Sequence, residues 1–226
     1  MEWIWRRNFQ TNIKYNMCNK TIFLLIGAGF IGLLFSSCLP SKPDRLPFIG
    51  RMEIVDGDTL YHKIPPFRFV NQDSQWVTNE DFADQIYIAD FFFTSCPSIC
   101  PKVKKQMLRI YDKFQHDDRF MMLSHSIDTK RDTVAHLKRY ATNLGVDTKR
   151  WYFLTGKDAE IFALADAYFV SAFADPNAPG GFDHSGRIIL IDRDGHVRSY
   201  CDGTDPEEVT EFMTDIEQLL FDTYEK

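Results

Sequence analysis

Residues 86–93 read IYIADFFF and are followed directly by TSCPSICPKV, residues 94–103. The first part is a nearly continuous run of apolar β-forming residues, which is typical of a central strand buried on both faces. From residue 97 to about residue 114, apolar side chains recur at spacings of three and four, which predicts an amphipathic helix. The stretch therefore predicts a buried strand that runs into a long helix, with Cys96 and Cys100 at the junction.

Strands and helices alternate on both sides of this stretch. The patterns predict a small hairpin around the Asp56-Gly57-Asp58 turn and then, after the cysteines, strand 120–127, helix 133–144, strand 151–154, helix 159–167, a hairpin of strands 188–192 and 197–201, and helix 207–221. The order β-α-β-α-β-α-β-β-α predicts an α/β, thioredoxin-like fold. We expect a central mixed β-sheet flanked by helices, with a small N-terminal β-hairpin extension.

The N-terminal residues have the layout of an export signal. Residues 21–35 (TIFLLIGAGFIGLLF) are almost wholly apolar, lysines precede them, and Ser36-Ser37-Cys38 follows. The apolar stretch is short for a membrane span, which needs about 20 residues. Ser-Ser-Cys resembles a bacterial lipoprotein signal, in which the cysteine is lipidated, although Phe35 stands where that pattern usually has Leu. We expect lipidation at Cys38, with an uncleaved anchor helix or soluble secretion as alternatives.

These features predict three segments: a signal and anchor at 1–38, a linker at 39–50, and a thioredoxin-like domain at 51–226. Met17 is an alternative start. We expect the protein to be exported and attached to the cell membrane, facing the periplasm or the cell exterior. The net charge of −6 argues against binding to nucleic acid, which requires a basic surface. The three cysteines of the domain are too few for a disulfide scaffold in a chain of this size.

The two cysteines of the junction are suited to metal binding or to redox chemistry. Pro97 fits the first position of a helix, which would place Cys96 at the helix start, where the helix dipole favours a thiolate. Cys100 would then lie one turn later on the same face. Two such thiolates can share one soft metal ion, and sulfur ligands select Cu(I) among other metals. Three residues separate the cysteines, against two in a thioredoxin redox loop, so a redox-active disulfide is permitted but not required.

Among the six histidines, His184 has the position most suited to a third ligand. It precedes the first strand of the predicted final hairpin, and in a thioredoxin-like fold that loop packs against the cysteines. Asp183 could orient the imidazole ring. The others, such as His116 at a helix end and His136 within a helix, are better explained as surface or core residues.

Several stretches together resemble the SCO/SenC family of copper chaperones and thiol proteins associated with cytochrome oxidase assembly. They are DFFFTSCPSICPKV (90–103), SIDTKRDT (126–133), WYFLTG (151–156), DHSGRIILIDRDG (183–195) and the lead-in GDTLYHKIPPFRFVNQD (57–73). The resemblance implies that Cys96, Cys100 and His184 bind copper, as Cu(I) or Cu(II). Cys201 stands where the family more often has an aromatic residue, and it is either an apolar filler or an extra thiol. The spacing of Met107, Met121 and Met122 favours core packing.

The sequence leaves two main functions open. The first is a copper metallochaperone that delivers one copper to the copper-binding subunit of a cytochrome oxidase or to another copper protein. The second is a thiol–disulfide oxidoreductase in which Cys96 attacks a client disulfide and Cys100 resolves it; whether the chain is an enzyme stays open. A peroxidase is disfavoured, because no arrangement of Arg or Thr around Cys96 resembles a peroxidase site.

Overall fold

The structure is a computed structural model that describes residues 45–225. In chain order its elements are β1 (Met52–Val55), β2 (Asp58–Tyr61), β3 (Arg68–Asn71), β4 (Trp76–Thr78), a 3₁₀ turn (Asn79–Phe82), β5 (Ile86–Phe92), α1 (Cys100–Phe114), β6 (Phe120–Ser126), α2 (Val134–Leu144), β7 (Trp151–Thr155), α3 (Asp158–Ala167), β8 (Ala172–Ala174), β9 (Phe182–His184), β10 (Arg187–Ile191), β11 (Val197–Asp202) and α4 (Pro206–Tyr224).

Seven strands form the central sheet in the order β11-β10-β5-β6-β7-β3-β4. The three inner strands β5, β6 and β7 are parallel to one another, and β10, β11 and β3 join them as antiparallel neighbours. Every residue of β5 and β6 is buried, as expected for strands covered on both faces. The prediction of a mixed sheet flanked by helices is confirmed.

Two apolar layers cover the faces of the sheet. One layer packs α1, α2 and α4 against alternate residues of the strands and includes Met107, Phe153 and Phe212. The other layer contains α3 and the segment that precedes β5, with Phe69 and Tyr168 among its buried rings. Because successive residues of a strand point to opposite faces, the continuous apolar run of β5 supplies both layers.

The structure differs from the sequence prediction at the start of α1. This helix begins at Cys100 and not at Pro97, and Pro101 lies in its first turn. Proline is tolerated there because the first N–H groups of a helix have no intrahelical partner. Since Pro97 and Pro101 both fit that role, the sequence pattern did not distinguish between them. The expectation that Cys96 and Cys100 lie one helical turn apart on one face is therefore wrong, and residues 96–99 form a loop.

Strand β4 and the β8–β9 pair extend beyond the predicted elements, whereas β3 corresponds to the short apolar strand that residues 67–70 predict. Strand β4 forms an antiparallel edge with β3, and β8 pairs with β9 in a separate two-stranded sheet. The sequence analysis predicted no strand between helix 159–167 and strand 188–192, where β8 and β9 lie. Both pairs are only three residues long, too short to show a clear alternation of apolar and polar residues.

The predicted N-terminal hairpin is present as β1 and β2. Ahead of it, part of the predicted linker packs on the domain: Leu46 is buried, and Arg198 donates hydrogen bonds to the carbonyls of Leu46 and Pro47. The predicted signal and Cys38 lie outside the described residues. Within residues 45–225, no helix combines the length and apolar character needed to cross a membrane.

A polar contact lies inside the apolar layer below α1. The Asp90 carboxylate of β5 accepts a hydrogen bond from the Ser124 hydroxyl of β6, whose oxygen in turn accepts the Trp151 indole N–H at 2.8 Å. Asp90 is 4% exposed and has no cation partner among residues 45–225. Burial raises the pKa of Asp90 to about 7, although the Ser124 hydrogen bond acts in the opposite direction.

We predict that Asp90 makes the stability of the protein fall as the pH rises from about 4 to about 7. In that window the folded state holds a proton on Asp90 that the unfolded chain, with its ordinary pKa near 3.8, has lost. The free energy of unfolding should then fall by up to about 1.4 kcal/mol per pH unit because of this group. Urea titrations at several pH values should show that slope, and Asp90→Asn should remove it.

The matched control is Asp118→Asn, which changes an aspartate that is 85% exposed. It should leave the pH dependence of the wild-type protein in place. Parallel profiles for the wild type and Asp90→Asn would contradict the assignment.

Candidate metal centre

Cys96, Cys100 and His184 converge at one end of the sheet. Cys96 lies in the loop after β5, Cys100 is the first residue of α1, and His184 is the last residue of β9. Their three potential ligand atoms all lie within 4.8 Å of one another. The Cys100 Sγ and the His184 Nε2 are 3.4 Å apart. The structure thus brings together the three residues that the sequence analysis selected.

The register of the central sheet explains how a residue 84 positions later reaches the cysteines. Strand β10 runs antiparallel to β5 and pairs Ile188 with Asp90. If this register is continued four residues before Ile188, position 184 falls opposite position 94, just after the end of β5. His184 is held there by the pairing of β9 with β8 and by an edge contact with the Phe93 ring, 5.7 Å between centroids.

The environment of Cys96 favours its thiolate. Burial acts to raise the pKa of this thiol, but hydrogen bonds outweigh it, and the pKa lies below the ordinary value. The hydrogen bonds come from the backbone N–H and the thiol of Cys100 and from Ser98, whose hydroxyl is 3.6 Å from the Cys96 Sγ. Because Cys100 starts α1, one of these donors is an N–H of the free helix terminus. The predicted effect of the helix start is present, although Cys96 precedes the helix.

The environment of Cys100 has the opposite effect. Burial raises the pKa of the Cys100 thiol, and the charges of Cys96 and Asp90 raise it further. The paired thiols are therefore electrostatically distinct: the pKa of Cys96 is lowered and that of Cys100 is raised. Both are free cysteines in this structure.

The His184 ring presents a neutral nitrogen to the cysteines. Burial lowers the pKa of the imidazole, while a hydrogen bond to the Ser185 backbone and the charge of Asp183 act to raise it. The Nδ1 lies 3.3 Å from the Ser185 carbonyl oxygen. We assign the proton to Nδ1, because a carbonyl can only accept; the lone pair of Nε2 then faces the Cys100 Sγ.

Asp183 is exposed and acts on the His184 ring through its charge. The hydrogen-bond partner of the ring is the Ser185 carbonyl. A role for Asp183 in orienting the ligand stays a prediction.

The loop that carries Cys96 is fixed by a buried carboxylate that the sequence analysis did not select. Asp132 is fully buried and accepts hydrogen bonds from the Thr94 N–H at 3.0 Å, the Thr94 hydroxyl at 2.5 Å and the Ser126 hydroxyl at 2.6 Å. Since the Thr94 hydroxyl donates to Asp132, its oxygen can accept from the His136 Nε2–H, 3.2 Å away. Asp132 lies in the SIDTKRDT stretch, which marked a family likeness but gave no sign of this contact.

The remaining candidate residues lie in the core. Met107, Met121 and Met122 are all at most 4% exposed, which confirms the prediction that they pack in the core. Cys201 on β11 is buried against α4 in the layer that contains α1, and burial raises the pKa of its thiol. Within residues 45–225 the cluster of possible metal ligands is formed by Cys96, Cys100 and His184, without Cys201. This placement favours the interpretation of Cys201 as an apolar filler.

Comparison with known families identifies the type of protein. A family model described as SCO1/SenC matches residues 56–220, nearly three quarters of the chain. The chain belongs to the SCO1/SenC family. The match includes both cysteines and the histidine of the candidate metal centre.

Solved structures of the same family share the fold. A SCO1/SenC family lipoprotein from Bacillus anthracis is 25% identical, with a TM-score of 0.63 over 70% of this chain and 94% of that one. BsSco, described as a Sco-family cytochrome c oxidase assembly protein with a disulfide switch, is 27% identical, with a TM-score of 0.63 over 73% and 95%. ScoI from Bradyrhizobium japonicum with copper bound is 28% identical, with a TM-score of 0.55 over 69% and 98%. The fold is thioredoxin-like.

We predict that Asp132→Ala lowers the free energy of unfolding by about 3 kcal/mol. The buried Ser126 hydroxyl and the partly buried N–H and hydroxyl of Thr94 lose their acceptor, at a cost of roughly 1 kcal/mol each. Thermal and urea melts of the variant measure the loss. Asp118→Asn, at an exposed position, is the control and should change stability little. A variant as stable as the wild type would show that the Asp132 hydrogen bonds do not hold the loop.

Proposed function

We propose that this protein is a copper metallochaperone that holds one copper ion through Cys96, Cys100 and His184. The observation that carries the proposal is the convergence of two sulfur atoms and one imidazole nitrogen within 4.8 Å. Bonds of about 2.0–2.3 Å, as found for sulfur and nitrogen ligands of a comparable metal, would let one ion reach all three with little movement. The copper-bound ScoI from Bradyrhizobium japonicum supports the choice of metal.

The donors suit a soft ion that must also be released. Thiolates favour Cu(I), and the neutral imidazole needs no deprotonation before it binds. The lowered pKa of Cys96 makes its proton the easier of the two to lose, whereas the pKa of Cys100 is raised and its proton must be displaced by the ion. Cys100 is only partly buried, and three ligands leave room for an incoming donor. A client could therefore take the ion by replacing one ligand at a time.

The client that we propose is the copper-binding subunit of a cytochrome oxidase, or another copper protein. The description of BsSco as an oxidase assembly protein supports this choice. Delivery to such a client would require the site to lie on the same side of the membrane as the client's copper centre.

A second function, thiol–disulfide exchange, is favoured by the opposite pKa shifts of the Cys96 and Cys100 thiols. The Cys96 thiolate would attack one sulfur of a client disulfide and release the other as a thiolate. Cys100, on losing its proton, would then attack the Cys96 sulfur and release the second client thiolate. The client gains two electrons, and this chain is left with a Cys96–Cys100 disulfide. The disulfide switch named for BsSco supports this alternative.

We predict that the reduced full chain binds one copper per molecule and that Cys96→Ser, Cys100→Ser or His184→Ala weakens binding at least tenfold. Each change removes one of three ligands, and competition with a chelator of known affinity measures the loss. The controls are Cys201→Ser and His116→Ala, which should bind as the wild type does.

His184→Ala also separates the two functions. It should largely spare the reduction of a model disulfide, because the thiols carry that step. Equal copper affinity in the wild type and in Cys96→Ser would refute the chaperone proposal.

We also propose that the chain is a membrane-anchored lipoprotein modified at Cys38 and facing the periplasm or the cell exterior. The Ser-Ser-Cys pattern after an apolar segment supports this, as does the lipoprotein relative from Bacillus anthracis. We predict that the chain isolated from a bacterial host gains the mass of acyl chains on Cys38 and that Cys38→Ser lacks them. Mass spectrometry of the N-terminal peptide decides between this outcome and an uncleaved, unmodified leader.

A further inference from the structure

Positive charge is concentrated beside the two thiols, although the chain as a whole carries −6. Between Asp90 and Asp112 the sequence has no acidic residue but has three lysines at the start of α1. We propose that this surface, which we call the basic rim, is the docking site for an acidic partner protein. The rim consists of Lys102, Lys104, Lys105, Lys130 and Arg131. The inference rests on the proposed function, since it states the charge of the client that exchanges metal or electrons with the site.

Contacts place the rim around the loop of the cysteines. Lys102 and Lys105 are exposed in the first two turns of the helix that Cys100 begins. Lys104 lines a small cavity together with Cys100 and His184. From the other side, the Arg131 guanidinium donates to the Ser95 hydroxyl at 3.4 Å, one residue before Cys96, and Lys130 is exposed next to it. A partner that reaches the thiols must therefore pass close to these charges.

The stability of the fold does not account for the rim. The positive end of a helix dipole lies at its N-terminus, so lysines there are unfavourable and acidic residues favourable. Helices α3 and α4 follow that rule with acidic residues in their first turns, whereas α1 and α2 have none. Of these four helices, only α1 has a lysine in its first turn. Among residues 45–225, Lys102, Lys105 and Lys130 form no ion pair, while Arg131 is paired with Asp128. Lys102, Lys105 and Lys130 are therefore free to interact with a partner.

The opposite side of the site has a different character. The β8–β9 hairpin beside His184 carries the exposed ring of Phe173, 48% accessible, and the acidic side chains of Asp175 and Asp183. An acidic partner would thus face α1, and an exposed aromatic ring is available as an apolar anchor. A free copper cation would be repelled by the rim, so the charges favour exchange with a docked protein over capture of the ion from solution.

The test compares the rates at which the reduced full chain, in detergent, reacts with two synthetic disulfide peptides. The peptides have equal length and carry either aspartates or lysines around the disulfide. In the variant Lys102→Glu/Lys105→Glu, the acidic peptide should react about tenfold more slowly at roughly 20 mM salt, and the basic peptide should react faster. Both changes should shrink at about 0.3 M salt. The new glutamates favour the N-terminal part of α1, so this variant is expected to fold.

The matched control is Lys113→Glu/Lys149→Glu, with the same change of charge at remote positions. Lys113 lies about 20 Å along α1 from Cys100. Lys149 precedes β7, which runs parallel to β5, so it lies at the end of the sheet opposite to the cysteines. This control should leave both rates unchanged. A change in the reactivity of the thiols themselves would move both peptide rates in the same direction. That result, or no change in either rate, would overturn the proposal.

Copper binding separates this inference from the function on which it rests. The rim variant should still bind one copper per chain, because its ligands are intact. If the rim variant binds copper normally and its two peptide rates equal those of the wild type, the docking proposal fails while the chaperone function stands. If the wild type binds no copper, but the rim variant slows the acidic peptide and speeds the basic one, the chaperone function fails while docking of an acidic partner in thiol exchange stands.

Discussion

The antiparallel pairing of β10 with β5 is the constraint on which the candidate metal centre depends. It fixes Ile188 opposite Asp90, and the chain before β10 therefore reaches the end of β5 where the cysteine loop begins. Both strands are buried and apolar, so a shift by one residue would turn their core side chains toward the wrong face. The packing of the sheet thus sets the distance between sulfur and imidazole.

A second constraint acts within the cysteine loop. The loop leaves β5 at Thr94, where the buried Asp132 carboxylate holds both the backbone and the side chain of that residue. The start of α1 then supplies the N–H that stabilises a thiolate at Cys96. A fixed loop between strand and helix keeps the two thiols close together but gives them different pKa values. Because a proximal pair with one lowered pKa suits both metal binding and disulfide exchange, the geometry alone favours both chemistries.

Surface charge adds the part of the function that the buried groups do not determine. The ligands decide what the site can hold, whereas the charges around it influence which partner approaches. In this chain the lysines of α1 stand where the helix itself would prefer acids. In this proposal the buried ligands determine which ion the site holds, and the charges of the basic rim determine which client docks beside it.

The sequence by itself determined the order of the longer strands and helices from β5 to α4, the burial of β5 and β6, and the choice of Cys96, Cys100 and His184. Those features follow from local periodicity, from the junction of strand and helix, and from family resemblance. Only the tertiary structure decided where α1 begins, because Pro97 and Pro101 fit the first turn of a helix equally well. It alone revealed the anchoring role of Asp132 and the Ser185 contact of the His184 ring, since these depend on side-chain geometry, most of it between segments distant in the chain.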